Sequence, residues 1–587
     1  MDEQTKWALG GACVAATLAA CGTEDPVPLP PNLFEAVTGS AWNQTAVRKV
    51  LHVFAFGGFA SDEQIKIWAT MDPAVAVREM ITLDDFNEQV APKAESLPGG
   101  GLRALAVHWS TAGTVPEDQR EYYKVDTWSS PARTWFLAAA NCGTNPVRQK
   151  IGLLETYYHL AVNQDAGVNN WQMFRYYDDV MNALAASKPY AEALTIAASA
   201  AAVAAQYNHK DNRFVEGAFE GNEDFGREIH QLYFGILGVE DPEYHEVTTI
   251  RNTAKALTDM KLAEVGPAND THSDEQITFG TVEHYPGALE VHHTQVEGAT
   301  AYDKIARIIG LNIAHAETKA NLPVLLISFL ADDNLTPAKV DAIRAAWAAQ
   351  DTPNLLEFLR SYAISKAFHD ESRIKYWTSI DRNLIGCNRA TLTSFEAYKR
   401  YYDAQSMAGR EGVSMFRPVH NVFGGQTGIM AAVSSTVFRD AYNNSVERYW
   451  TFARAEDEKA AWKKDWAAVI PKMDDGTWRV KEIAEWLWQR FIADGLKNFG
   501  TLERAHTYAL IVAGVDIAMF IDDTTPNAIY TTADIEIEHH EAFADMGIGV
   551  VPLASSNADE RLTANFRIGQ AINFILATPY AFAQEGK

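Results

Sequence analysis

The stretch NEDFGREIHQLYFGILG, residues 222–238, decides the fold class because its apolar residues recur with the period of an α-helix. The apolar stripe consists of Phe225, Ile229, Leu232 and Ile236. Asn222 precedes this stripe at the position of an N-cap, where its side chain is expected to accept a backbone N–H of the first turn. The pattern predicts an amphipathic helix over residues 223–237 with one buried face.

Similar patterns occur on both sides of this stretch. Thr336-Pro337 predicts an N-cap followed by a first-turn proline, and Ser61 with Gln64 has the spacing of a capping box. Alanine dominates residues 189–206, which favours a helix there. Further helices rich in aromatic residues are predicted at 445–456, 459–470 and 480–495.

Alternating strand patterns are scarce, and short strands are predicted only near residues 288–297 and 534–538. Residues 264–300 are rich in polar residues and glycine, which predicts a long irregular loop. The chain is therefore predicted to be mainly α: a large multi-helical globular body with a few short strands and long loops.

The composition is typical of a folded protein with an acidic surface. The 587 residues are 47% hydrophobic and include 15 Trp, 22 Tyr and 27 Phe, which supply enough large side chains for a sizeable core. A formal net charge of −26 repels phosphate backbones, so we expect no nucleic-acid partner. The acidity either keeps the protein soluble or attracts cations or a basic partner.

The amino terminus has the pattern of a bacterial lipoprotein signal. Residues 7–20 are uncharged and apolar and are too short to span a bilayer. Leu18-Ala19-Ala20-Cys21 resembles a lipobox, which predicts cleavage before Cys21 and lipidation of its thiol. Residue 22 is glycine, which resembles a sorting signal for the outer membrane. An ordinary signal peptide cut elsewhere is the alternative.

Four consecutive regions follow from this interpretation: a signal peptide (1–20), a proline-rich tether (21–39), a helical core (40–390) and a C-terminal helical part of the same body (391–587). We expect the mature protein to contact the membrane through its N-terminal lipid. The expected location is the cell envelope, with the outer membrane favoured over the inner and the body facing the periplasm or the cell surface.

Five segments, in the same order and at similar spacing, resemble an exported bacterial family, domain of unknown function 1800. They are Arg48 to Phe56-Gly57, residues 145–151, 222–238, 253–258 and 315–319. The third is the most specific, because the family shows Asn-Glu-Asn-x-Ala-Arg-Glu-Leu-Leu-Glu-Leu-Phe-x-Leu-Gly there. The likeness runs over roughly residues 40–587.

The resemblance implies an exported, mainly helical protein without an established reaction. Such proteins are often encoded beside a secreted sulfatase-like family, domain of unknown function 1501, which is therefore the expected protein partner. The chain departs from the family where a Trp-His-Asn-His-Phe segment appears as Glu155-Thr156-Tyr157-Tyr158-His159. The resemblance therefore assigns no role to this segment.

The polar residues of the stretch 222–230 are the first candidate catalytic or ligand-binding group: Asn222, Glu223, Arg227, Glu228 and His230. One interpretation is a cleft in which Glu223 or Glu228 acts as an acid or base and Arg227 grips an anion. The other interpretation is a Glu–Arg network that fixes helix packing.

The second candidate is a metal site at Glu290, His292 and His293, which have Glu-x-x-His spacing. The segment 536–541 has the same spacing, and Glu155 with His159 forms an i, i+4 pair. The sequence requires no cofactor, and a divalent metal is the one cofactor that it suggests.

Beyond the signal region, cysteines occur at Cys142 and Cys387. They form one long-range disulfide in an oxidising compartment or remain buried thiols.

No Gly-x-Ser-x-Gly elbow, phosphate-binding loop or His-Glu-x-x-His helix is present, so enzymatic activity stays open. The sequence favours a binding or scaffold component of the envelope that works with another exported protein. The alternatives are an envelope or extracellular hydrolase, with or without a metal, and a subunit of a surface or extracellular assembly. A hydrolase predicts that Glu223 and Arg227 converge in a cleft, whereas a scaffold predicts that they are paired.

Overall fold

The chain is divided into two compact units. The computed structural model describes residues 33–84, 97–110, 130–141, 143–185, 188–263, 275–390, 404–420, 422–434, 436–441, 465–514 and 550–586. The split unit is built from two stretches, 38–185 and 374–587. The middle unit is built from the described residues of the stretch between them, 186–373, together with residues 33–37. The predicted boundary at residue 390 lies inside the split unit.

The first stretch of the split unit is helical. Its helices are α1 (Gln44–Ala55), α2 (Asp62–Thr70), α3 (Pro73–Met80), α4 (Leu102–Ser110), α5 (Pro131–Ala140), α6 (Pro146–Leu153) and α7 (Asn170–Ala185). Ser61 caps α2 by accepting the N–H of Gln64 at 3.1 Å, which confirms the predicted helix start. Asn145 caps α6 in the same way, and Pro146 occupies its first turn.

The middle unit contains the stretch 222–238 from which the fold class was predicted. Its helices are α8 (Tyr190–Ala198), α9 (Ala201–Gln206), α10 (Asp224–Phe234), α11 (Pro242–Tyr244), α12 (Arg251–Ala256), α13 (Ala301–Ala314), α14 (Ala316–Leu330), α15 (Pro337–Ala348) and α16 (Leu355–Ala363). Thr336 caps α15, as predicted, and Val340, Ile343 and Trp347 are buried. A π-helical turn, His245–Ile250, joins α11 to α12.

Within its described residues, the middle unit also contains three two-stranded antiparallel sheets. Their strands are β1 (Arg213–Val215), β2 (Ala218–Glu220), β3 (Met260–Ala263), β4 (Gln276–Phe279), β5 (Leu289–Val291) and β6 (Thr294–Val296). The strands β5 and β6 confirm the prediction near 288–297. The predicted irregular loop over 264–300 is wrong for its described part, which contains β4, β5 and β6. The strand that the sequence did not predict, β4, has only four residues, too few to show an alternating pattern.

The second stretch of the split unit supplies most of an aromatic core. Its elements are β7 (Ile374–Tyr376), α17 (Ser379–Ala390), α18 (Ile429–Ala432), α19 (Val480–Phe491), α20 (Thr501–Ala513), α21 (Ala558–Ala577) and β8 (Ala583–Glu585). Trp466 and Trp488 are fully buried in this core together with Ile568 and Ile572 of α21. The helix predicted at 480–495 is α19. The predicted helix at 445–456 and strand at 534–538 lie outside the described residues.

The mainly α fold class is confirmed. Among the helices of the described ranges, none combines the length and the apolar character that crossing a membrane requires.

Candidate histidine site of the middle unit

Asn222 does not cap α10, so that prediction is wrong. The N-cap is Glu223, and no side chain accepts a first-turn N–H there. The Asn222 side chain instead donates to the carbonyl of Tyr207 at 2.9 Å. The side chain of Asn212 accepts the N–H of Asn222 and donates to its carbonyl, which holds Asn222 outside the helix.

The charged residues of the same stretch form ion pairs at the surface. Arg227 Nη1 lies 2.6 Å from Glu246 Oε1, and Arg251 Nε lies 3.4 Å from Glu223 Oε1. The four side chains are between 38% and 57% exposed, so water screens both pairs. Both pairs join α10 to the helical segment 245–256, which is the arrangement expected of a packing network.

Glu228 differs from the exposed charged residues of this stretch because its carboxyl is largely buried. Burial raises the pKa of its carboxyl to about 7, and Asp224 adds to this shift while Arg227 opposes it. A carboxyl that titrates near neutral pH is suited to act as an acid or base.

His230 points away from these surface pairs into a group of histidines, which we call the four-histidine cluster: His230, His245, His292 and His315. The ring centres of His230 and His292 are 5.0 Å apart, and those of His230 and His245 are 5.7 Å apart. His292 lies 6.3 Å from His245 and 4.7 Å from His315. The four residues come from α10, the π-helical turn, the β5–β6 turn and the junction of α13 with α14.

Hydrogen bonds fix the protonated nitrogen on two of the rings. Thr253 donates its hydroxyl to the carbonyl of Thr249, so it can only accept from His230 Nε2 at 2.8 Å. His292 Nε2 likewise donates to Asn312 Oδ1 at 3.0 Å. In a neutral imidazole the second nitrogen carries a lone pair. Nδ1 of both rings is therefore unprotonated and can accept a hydrogen bond or bind a metal ion.

Two buried nitrogens of the cluster have no hydrogen-bond partner among the described residues. They are Nδ1 of His230 and Nε2 of His245. His315 differs, because its Nδ1 accepts the N–H of Glu317 and so caps α14. A buried polar atom without a partner is destabilising, so a ligand that binds these two nitrogens would remove that cost.

The turn that carries His292 has a strained backbone. Val291 pairs with Thr294, so His292 and His293 are the two central residues of a hairpin turn, with φ angles of 49° and 57°. Such a turn normally contains Asn-Gly because an L-residue with a Cβ costs free energy at positive φ. Two adjacent histidines at these positions indicate a constraint other than turn stability.

Burial disfavours the charged form of three rings of the cluster, those of His230, His245 and His292. Burial lowers the pKa of His292 to about 4 and that of His230 far below its usual value. The pKa of His245 is also lowered by burial. Neutral imidazole is the form of histidine that binds metals.

The structure separates the predicted metal ligands Glu290 and His293 from His292. The ring of His293 is exposed and stacks on Tyr244 with ring centres 3.8 Å apart. Glu290 accepts the Tyr244 hydroxyl at 2.9 Å. Within the described ranges, no group of three or more His, Cys, Asp or Glu side chains is arranged, as it stands, to hold a metal ion.

The sequence identified two members of the cluster, His230 and His292, but gave no role to His245 or His315. His315 belongs to a family-like segment, whereas His245 follows a short helix with no recognisable motif. The nearest local indication is the π-helical turn that begins at His245, since such turns are frequent at functional sites.

In the split unit, the predicted Glu155–His159 pair is present. His159 Nδ1 lies 3.1 Å from Glu155 Oε2, and both side chains are fully buried in a π-helical turn that follows α6. Cys387 is buried in α17. Cys21, Cys142 and the segment 536–541 lie outside the described residues, so lipidation and the disulfide remain predictions.

Comparison with known proteins identifies a family but no function. The sequence profile of a family described as "Protein of unknown function (DUF1800)" matches residues 49–424. No curated protein and no solved structure matches the chain.

Proposed function

The chain belongs to DUF1800, a family of unknown function, and we propose that it is a lipid-anchored envelope protein that binds or supports another exported protein. The location rests on the sequence pattern around Cys21. The expected partner is an exported sulfatase-like protein of the family domain of unknown function 1501.

The observation that carries the non-catalytic role is the pairing of the charged residues in the family-like stretch. Arg227 is held by Glu246, and Glu223 by Arg251, each at the surface. An arginine that binds an anionic substrate in a hydrolase would instead leave its guanidinium N–H groups available to that substrate. The pairing supports a role in fixing α10 against the segment 245–256.

Replacing Cys21 by alanine tests the anchor. The variant should appear in the soluble envelope fraction, because the thiol that receives the lipid is gone. Cys13→Ala is the matched control, since Cys13 lies in the same apolar segment before the cleavage site and should leave anchoring unchanged. Mass spectrometry of the N-terminal peptide should find acylated Cys21 in the control. An unacylated N-terminus in the wild type would contradict the proposal.

A hydrolase is the second candidate, and the raised pKa of Glu228 favours it. Glu228→Gln separates the two candidates because it removes the titrating proton and keeps the shape of the side chain. A scaffold predicts that the variant co-purifies with the sulfatase-like partner as the wild type does. A hydrolase predicts that wild-type protein cleaves envelope polysaccharide or peptide and that the variant loses activity by about 100-fold or more. If the wild-type protein does not copurify with the sulfatase-like partner, the scaffold role is contradicted.

A further inference from the structure

We propose that His230, His245 and His292 form a binding site for one divalent transition-metal ion of the Zn²⁺ class. The proposal concerns a ligand that the middle unit binds, and it is independent of the envelope function above. This set of ligands differs from the one that the sequence predicted, since the predicted ligands Glu290 and His293 lie on the exposed side of the hairpin.

The spacing of the three rings fits a shared ion. With a metal–nitrogen bond of about 2.0 Å, a ring centre lies about 3.2 Å from the ion, so two rings at a tetrahedral angle have centres about 5.2 Å apart. The rings of His292 and His245 lie 5.0 and 5.7 Å from that of His230, close to this value, and they lie 6.3 Å from each other, which is about 1 Å longer. The nitrogens are not yet arranged around a common point. Binding therefore requires the rings to shift so that Nδ1 of His230, Nδ1 of His292 and Nε2 of His245 converge, while the Nε2–H groups of His230 and His292 keep their oxygen partners.

The hydrogen bonds of two rings are those of metal-ligating histidines. His230 donates Nε2–H to Thr253, and His292 donates Nε2–H to Asn312, which leaves both Nδ1 atoms as bases. Metal-bound histidines usually donate their other N–H to an oxygen in this way, which fixes the tautomer and orients the ring. His230 Nδ1 is also a buried acceptor without a partner in the described part of the chain. A metal ion would satisfy it.

His245 contributes the third nitrogen. Its Nε2 is buried and has no partner within the described residues. The carboxylates of Glu246 and Glu317 act electrostatically on this ring and would partly balance the charge of a divalent ion. His315 is not included, because its Nδ1 already accepts the N–H of Glu317.

The ligand set indicates the class of metal. Imidazole nitrogens favour Zn²⁺, Cu²⁺, Ni²⁺ or Co²⁺, whereas Ca²⁺ and Mg²⁺ require oxygen ligands. Three protein ligands leave a fourth tetrahedral position for water or another ligand. The strained turn at His292 and His293 is then explained, because it delivers His292 to the cluster at a cost in backbone free energy.

The test uses full-length, tag-free protein freed of metal with a chelator and titrated with ZnCl₂ by calorimetry and with CoCl₂ by visible spectroscopy. We expect one ion per chain and the intense absorption bands of tetrahedral Co²⁺. Zinc should also raise the melting temperature, since a ligand that binds only the native state stabilises it. MgCl₂ should produce none of these changes.

His292→Asn and His293→Asn form a matched pair of variants. Both place asparagine, which tolerates positive φ, in the same turn, but only the first removes a ligand. His292→Asn should weaken zinc binding by about 100-fold or more, because loss of an outer hydrogen-bond partner alone costs about 10- to 100-fold. Asn312→Ala removes such a hydrogen-bond partner and should weaken zinc binding by about 10- to 100-fold. His293→Asn should bind as the wild type does.

Three results would overturn the proposal. They are the absence of one-to-one zinc binding in the wild type, equal affinity in the His292→Asn variant and the wild type, and octahedral rather than tetrahedral Co²⁺ spectra. Circular dichroism of each variant establishes that it is folded before affinities are compared. If His292→Asn does not fold, His245→Gln replaces it and is expected to show the same loss of affinity.

Discussion

Replacing Lys150 by methionine should lower the free energy of unfolding of the split unit by about 3–5 kcal/mol. Lys150 forms an ion pair with Asp381, and the two side chains are 3% and 2% exposed. The ammonium also lies 5.0 Å from the ring centre of Phe56. Methionine keeps most of the apolar contacts of Lys150 but leaves the Asp381 carboxylate buried without its cation. Thr378, which donates to Asp381 at 2.9 Å, cannot replace that charge.

Urea unfolding at neutral pH, followed by tryptophan fluorescence, measures this loss. The double variant Lys150→Met with Asp381→Asn should recover part of it, because the uncompensated charge is then removed. Lys497→Met is the control: Lys497 pairs with Glu585 in the same unit, but both side chains are about half exposed. That variant should change stability by less than about 1 kcal/mol. A double variant no more stable than Lys150→Met would contradict the role given to the buried charge.

Replacing His209 by phenylalanine should reduce the acid sensitivity of the middle unit. His209 is fully buried, and its ring stacks on Phe225 with centres 4.6 Å apart. Burial alone lowers its pKa from 6.5 to about 3. The unfolded chain therefore binds a proton at a pH where the folded chain does not, so this residue destabilises the fold as the pH falls below about 6.5.

The expected size is about 2 kcal/mol of stability lost between pH 7 and pH 5, from 1.36 kcal/mol per pKa unit. Phenylalanine preserves the stacked ring and cannot be protonated. Between pH 7 and pH 5 the free energy of unfolding of the variant should therefore fall by about 2 kcal/mol less than that of the wild type. His209→Leu is a second, smaller variant in case phenylalanine does not fit. Unfolding free energies at pH 7, 6 and 5 give the comparison. Parallel pH profiles for wild type and both variants would show that His209 is already solvated in the folded protein.

Local sequence patterns were sufficient to predict two of the helix starts. Ser61 and Thr336 act within one turn, because a cap accepts an N–H only two or three residues further along. The same logic failed at Asn222, where Asn212 holds the residue outside the helix. A partner from another element outweighed the local preference.

The sequence by itself determined the helical class, the family and two of the candidate histidines, since helical periodicity and short motifs are properties of neighbouring residues. Only the tertiary structure decided that Arg227 is paired with Glu246 and that His230 and His292 meet His245. It also placed Lys150 beside Asp381, 231 residues away along the chain. Such contacts depend on how distant segments pack, and packing free energy is a property of the whole fold rather than of a stretch of sequence.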